Sequence, residues 1–419
     1  AVPIFWMDTD DHDLAEITRL TYMDVKQILQ VTDCREKLYG AAPESVRPVG
    51  ALELPEAIDA VRAEYVSRLA PSVRDADIGE ILGFAYRAAS RYSDAFARMM
   101  VRLFRGRGLL LFDPRDPEAK ALLAPLFLHV AKRGDTLVSA LLERGLALKQ
   151  SRFQPQVEVQ ENSALLFMEI DGVRRALLRA KGHFVLKNEA VEFTQERLAG
   201  LLRKSPERFS PNVLLRPIAQ DHLFPSVIYV GGPAEVAYFA QAAVLYRDSG
   251  RPMPVIWPRF SATVLDNDVR AIMKKHGITF EDCLSDRKTL SEKLARAGPG
   301  KAALARVSEL RSEIERVLDE LLPRLVEVDP TLGPALATAR RKMRRNLDRI
   351  EGRLVQAGAD SEIEYLLDYL RPNQNLQERE FSIHQLIARH GLQVLETLYS
   401  AIRIERPAHF IVEIESGKE

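Results

Sequence analysis

The sequence predicts an α/β fold with a doubly wound parallel-sheet core, split by a β-rich insertion and followed by a helical hairpin. Three observations predict it. Short, continuously apolar runs alternate with helical stretches, as buried parallel strands alternate with crossover helices. At Gln154 the pattern turns β-rich, and it reverts to alternation at Thr194. Beyond Gly300, Val307, Leu310, Ile314, Val317 and Leu321 recur at spacings of 3, 4, 3 and 4, the period of a coiled coil.

Taken in order, "VPIFWM" at residues 2–7 reads as a buried strand, and "LAEITRLTYMDVKQIL" after it as a helix. "RPVGALEL" is expected as a strand, with Pro55 suited to the first turn of the next helix. Two helical stretches follow, the second over about residues 78–104. "LLLF" at 109–112 is a strand ending in the Asp113–Pro114 turn, and helix returns through Lys149. In the β-rich part, Asp171-Gly172 occupies the place of a two-residue hairpin turn. "PSVIYVGGPAEVAYFAQAAVLYRDSG" reads as strand, Gly231-Gly232 turn, Pro233 at a helix start and a helix ending near Gly250; "MPVIWPRF" is the next strand. Leu336, Met343, Leu347, Ile350 and Leu354 form a second helical arm after the "EVDPTLGP" turn, and "RPAHFIVEIES" supplies a last strand. The expected divisions are 1–153 and 194–298 for the two parts of the core, 154–193 for the insertion, 299–360 for the hairpin and 361–419 for a segment returning to the core.

Composition excludes several classes. The 419 residues carry 59 basic and 59 acidic side chains, so bulk charge predicts neither a nucleic-acid nor an anionic-membrane partner. Only Cys34 and Cys283 occur, widely separated. That excludes a disulfide framework or a cysteine-rich zinc module and points to a reducing cytoplasm. Both thiols read as inert packing residues. No apolar run approaches the roughly 20 residues of a membrane helix.

The richest candidate site is "DTDDHD". Asp10, Asp11 and His12 stand at the C-terminal end of a presumed parallel strand, where open α/β sheets bind ligands. Carboxylates around His12 would favour its imidazolium, suiting acid/base work. Asp13 and Glu16 fit a capping box instead. No second histidine or cysteine stands nearby, so no metal is assigned. Gly231 and Gly232 would let a ligand approach backbone at a helix N-terminus, with Glu235 and Tyr238 on one helix face beside them, able to line a pocket or merely to cap and solvate. Asn212, Arg216 and Asp221 precede this strand, and Arg216 and Asp221 could equally form a structural ion pair. Arg259 follows the next strand. In "RPNQNLQERE", Arg371, Asn373, Asn375 and Arg379 offer the donors that recognise phosphate or carboxylate.

"PIFWMDTDDHDLAEI", "LLLFDPRDP", "LLRPIAQDHLFPSVIYVGGPAEVAYFAQ", "PMPVIWPRFSATVLD" and "LRPNQNLQERE" occur in one order across nearly the whole chain. With them the sequence resembles the bacillithiol biosynthesis cysteine-adding enzymes. The resemblance implies a Rossmann-like core with connecting-peptide insertions, similar to class I aminoacyl-tRNA synthetases, and a coiled-coil domain used in homodimerisation. It implies a ligase that joins the carboxylate of cysteine to the amine of glucosaminyl malate, with a nucleotide, ATP with or without Mg, activating the carboxylate. His12, tuned by Asp10 and Asp11, would orient or deprotonate the amine, and Arg216, Arg259 and Arg379 would hold carboxylates or phosphates. Members of the family carry a preceding glycine-rich strand and helix, and this chain opens at what corresponds to the second strand; that segment would contribute to the pocket. Two other readings stand beside this one. A non-catalytic dimeric scaffold predicts no stabilisation by substrates, and a metal-dependent hydrolase built on the acidic loop predicts a bound metal.

Overall fold

The computed structural model describes residues 1–40, 47–69, 75–283, 285–286, 289–290, 293, 301–357 and 361–414. The boundary expected between residues 298 and 299 and the side chain of Cys283 lie outside the described residues; Cys34 is buried. The apolar runs form parallel pairs, and Ser261–Asp266 is a strand the sequence did not single out. Ile4–Trp6 runs parallel to Leu110–Phe112, Ile228–Gly231 to Val255–Pro258, and Ser261–Asp266 to the last strand, His409–Ile414. Parallel pairing brings both C-terminal ends of a pair to one side, so the loop after Trp6 opens beside Asp113, and Gly231 beside Pro258. Among the described residues these pairs are separate two-stranded sheets, and Ile228, Val230 and Val255 are more than half exposed.

The β-rich insertion is one antiparallel sheet in the order Glu192–Thr194, His183–Leu186, Val173–Ala180, Ser163–Ile170, Phe209–Pro211. Asp171 and Gly172 both adopt positive φ, 49° and 74°, as the predicted two-residue turn requires. The sheet packs on the 34-residue helix Pro117–Gln150, which Asp116 caps by accepting from Ala119 N–H at 3.0 Å. Phe127, Leu141, Leu165, Phe184, Phe209 and Phe239 form the centre of that core. Its last strand, Phe209–Pro211, comes from beyond Thr194, so the sheet also borrows from the chain that leads back to the core.

Three local expectations fail, each for a tertiary reason. The helix expected after the acidic loop stops at Thr18, and Arg19–Met23 pairs with Leu29–Asp33 in a hairpin. Asp24 makes that turn by accepting from the N–H groups of Lys26 and Ile28, with Gln27 at φ 60°. "RPVGALEL" forms a single 3₁₀ turn at Val49–Ala51, because its backbone bonds go to the acidic loop. The stretch at 78–104 divides into Asp75–Ala85 and Tyr92–Leu103; between them Ala89 N–H donates to Leu54 O and Leu54 N–H to Ser90 O.

Helices Lys301–Val328 and Leu332–Ala357 form the predicted hairpin. The seam buries Leu304, Leu318 and Leu347 and pairs Arg311 with Asp348 and Glu351, and Arg344 with Glu315. Leu310, Val317 and Leu321 of the predicted stripe stay 38–48% exposed. Leu304, Arg311 and Leu318, seven residues apart, face the partner helix, so the neighbouring stripe turns outward.

Candidate active site

The acidic loop is built by backbone contacts. Met7 N–H donates to Phe112 O at 2.9 Å, extending the parallel pair by one residue. Thr9 hydroxyl donates to the Asp113 carboxylate. The 3₁₀ turn then clamps the loop from above: Gly50 N–H donates to Thr9 O (3.0 Å) and Val49 N–H to Asp11 O (2.6 Å). Gly50 has no room for a side chain, since a Cβ there would lie 2.5 Å from Thr9 Cβ and 2.9 Å from Thr9 O. Asp13 caps the short helix Leu14–Thr18 as predicted, accepting from Ala15 N–H at 3.0 Å. The expected capping box does not form: the Asp13 carboxylate takes the Ala15 N–H, and Glu16 N–H turns to Asp13 O.

Three of the loop's carboxylates face a cation supplied from elsewhere in the chain. Asp8 pairs with Arg216, whose Nη2 also donates to Tyr238 Oη at 3.1 Å. Burial raises the Asp8 pKa, and Arg216 opposes the rise. Asp10 is buried and accepts from Lys120 Nζ at 2.5 Å; Lys120, 1% exposed, donates also to Phe209 O at 2.9 Å. Asp11, less enclosed, lies 3.9 Å from Arg174 Nη1. Among the described residues no three His, Cys, Asp or Glu side chains form a metal-ligand group.

The expectation that carboxylates would favour the His12 imidazolium is corrected here. His12 is lowered, first by burial and then by Arg174, against the opposing pull of Asp11 and Asp13. Arg174 comes from the Val173–Ala180 strand, immediately after the Asp171-Gly172 turn. Its Nη1 is 3.0 Å from His12 Nδ1, its Nε donates to Ser210 Oγ (2.9 Å) and its Nη2 to Pro211 O (3.1 Å). Its guanidinium lies 3.7 Å over the Phe167 ring. Beside His12 a cavity of about 440 Å³ is lined by Phe167, Arg174, Arg175, Lys187 and Asn212.

The remaining predicted residues divide into three groups. Gly231, Gly232, Glu235, Tyr238 and Arg259 meet at the start of the helix Pro233–Asp248. Glu235 is its cap, accepting from Gly232 N–H and Tyr229 Oη, each at 2.7 Å. A Cβ on Gly232 would lie 2.7 Å from Arg259 Nη2, so the glycine gives the Arg259 guanidinium its seat. Asn212 lines the cavity and accepts from Leu215 N–H at 2.9 Å. Asp221 is buried and does not pair with Arg216; its carboxylate, after burial itself, pushes the Tyr246 phenol up. In the 371–380 loop, Asn373 and Asn375 both donate to Glu380 at 2.6 Å, Arg371 Nε donates to Ser285 O, and Arg379 is exposed.

Arg174, Lys120, Arg115 and Phe167 were not singled out by the sequence. Arg115 bridges Glu169 at 2.9 Å and Asp10 at 3.7 Å. The only local signal was the Arg-Arg pair after the Asp-Gly turn; Lys120 looks like any surface lysine on a helix until the acidic loop packs over it.

Strand-end carboxylates that meet cations from other elements, and a glycine turn at a helix start, are set in a Rossmann-like α/β protein extended by a coiled-coil hairpin. Residues 1–260 match the family model of the N-terminal Rossmann-like domain of bacillithiol biosynthesis BshC, and residues 262–414 match that of its C-terminal coiled-coil domain. The chain belongs to this BshC family. It is similar to proteins named "Putative cysteine ligase BshC" from Koribacter versatilis (strain Ellin345), 32% identical over 99% of this chain and 76% of that protein, and Solibacter usitatus (strain Ellin6076), 31% identical over 99% and 77%. A third, from Salinibacter ruber (strain DSM 13855 / M31), is 30% identical over 99% and 76%.

Proposed function

We propose that this protein is a cysteine ligase of bacillithiol biosynthesis that forms the amide between the cysteine carboxylate and the amine of glucosaminyl malate. The observation that carries the reading is the convergence of His12, Asp11, Arg174 and Arg216 around one strand end, with a cavity beside His12. An amide-forming site needs cationic donors for anionic groups and a polar group at the reacting carbonyl. Arg216 and Arg259 would hold malate carboxylates or phosphates, and the Gly231–Gly232 turn would admit a ligand against backbone. Asp10 would act by fastening the loop, Asp11 by attracting the amine, and His12 at the reacting centre. The nucleotide, ATP with or without Mg, would supply activation of the cysteine carboxylate; the open turn at a helix N-terminus beside the Arg259 guanidinium suits its phosphates. Arg371, Asn373, Asn375 and Arg379 enter as a second anion-binding set, which Asn373 and Asn375 could join only by releasing Glu380. The two widely separated cysteines support a cytoplasmic site of action; among the described residues no helix is long and apolar enough to cross a membrane.

The test is mass spectrometry of a reaction holding the full-length gene product, ATP, cysteine and glucosaminyl malate. Bacillithiol should appear only with all three. No product, together with no thermal stabilisation by any of them, would favour the scaffold reading. The outward Leu310–Val317–Leu321 stripe supports a homodimer through the coiled coil. Sedimentation should then give a dimer for the native protein and a monomer for Leu310→Glu/Val317→Glu, with helix content unchanged. A monomeric native protein removes this part of the proposal.

A further inference from the structure

We propose that Arg174 is a positioning residue that holds His12 as a neutral imidazole with its hydrogen on Nε2, so that His12 donates a hydrogen bond to the acyl oxygen and does not take the amine proton. The acyl group rests on the ligase reading above; the tautomer does not.

Arginine carries five N–H donors and no acceptor. With Arg174 Nη1 at 3.0 Å, His12 Nδ1 must present its lone pair. A neutral imidazole has one ring hydrogen, which is then on Nε2. An imidazolium would set an Nδ1–H against an arginine N–H, two donors facing each other. Arg174 is not free to turn aside. Ser210 Oγ, Pro211 O and the Phe167 face hold the other parts of its guanidinium, and Arg174 is buried.

Charged groups face the ring from both sides. From its own loop come Asp11 and Asp13, from the opposite strand Arg174. Asp11 Oδ1 lies 3.5 Å from Nδ1 and already accepts from the His12 backbone N–H at 2.7 Å. At 3.5 Å, against 3.0 Å for Arg174 Nη1, it is the more distant partner of Nδ1. Burial acts in the same direction, against the charged ring.

A general base needs a lone pair within reach of the proton it removes. The one lone pair on this ring is committed to Arg174, so the polar group left for a ligand is Nε2–H. Such a donor serves an oxygen on which negative charge develops, as neutral histidines do when they polarise carbonyls. In the step proposed, the amine lone pair forms the C–N bond and the carbonyl π pair moves to oxygen, where Nε2–H stabilises it. Collapse restores the carbonyl and expels the leaving group with the electron pair of its C–O bond. The surplus proton on nitrogen passes to solvent water, and His12 keeps its own proton throughout.

The tautomer is read without any reaction, from ¹H–¹⁵N spectra of histidine-labelled protein, the His12 signals being those missing in His12→Gln. The expected result at neutral pH is a neutral ring protonated at Nε2, retained in Arg174→Lys and lost to a mixture in Arg174→Met. An imidazolium or an Nδ1–H tautomer in the native protein overturns the proposal even if bacillithiol is formed. Activity supplies a second arm. A glutamine amide N–H can take the place of Nε2–H, so His12→Gln should keep kcat within about tenfold of native, whereas His12→Asn and His12→Ala should lose on the order of 100- to 1000-fold. Glutamine as damaging as alanine, in a protein of native thermal stability, would show that a base and not a donor is required. Arg174→Lys, which still donates to Nδ1, should retain more kcat than Arg174→Met with little difference in KM.

Discussion

Replacing Asp10 with asparagine should lower the free energy of unfolding by about 3–5 kcal/mol, the cost of leaving one partner of a buried ion pair unmatched. Lys120 is 1% exposed and donates to Asp10 Oδ2 and Phe209 O. Its pKa is already lowered by burial, against the pull of Asp10, so without that carboxylate its charged form loses its main support. Lys120→Met should cost less, because Arg115, 3.7 Å from Asp10, still faces the carboxylate. The double variant Asp10→Leu/Lys120→Met should recover most of the loss, because neither charge is then buried alone. Urea denaturation of the three variants checks this. Single variants within 1 kcal/mol of native would mean that the pair is solvated and that the loop is held by something else.

Gly50→Ala is the second change with a large expected effect. The added methyl would stand 2.5 Å from Thr9 Cβ, against a residue whose carbonyl accepts from Gly50 itself. Overpacking of this kind costs about 1–3 kcal/mol. The greater consequence should be functional, since the loop that must shift carries Asp10, Asp11 and His12. Displacement by an ångström at a reacting group can cost on the order of 100-fold in rate. The variant should therefore fold, melt lower and lose activity far beyond its loss of stability. Native turnover in Gly50→Ala would separate the 3₁₀ turn from the site.

Both effects depend on contacts that sequence distance conceals. Asp10 and Lys120 are 110 residues apart, and His12 and Arg174 are 162 apart. The acidic loop could be read because its residues are adjacent and follow a recognisable strand. The cations that complete it could not, because a buried lysine and a solvated one have the same local pattern. The same limit explains "RPVGALEL". That stretch was expected as a strand, but strand formation needs a free edge to pair with, and here Thr9 and Asp11 took the backbone donors. In the coiled coil the period was legible and the face was not. A 3-4 spacing is satisfied both by the seam through Leu304 and Leu318 and by the outward stripe through Leu310 and Val317.

The sequence by itself determined the strands at Ile4–Trp6, Leu110–Phe112, Ile228–Gly231 and Val255–Pro258, the Asp171-Gly172 hairpin, the Asp13 cap, the helical hairpin and the family, since each rests on residues close together or on order along the chain. Only the tertiary structure decided which charge each carboxylate meets and which nitrogen of His12 is engaged. Those depend on Arg174, Lys120 and Arg216 arriving from separate elements. In the cramped loop burial, and then a guanidinium at hydrogen-bond distance, act against the acidic neighbours that the sequence places beside the ring.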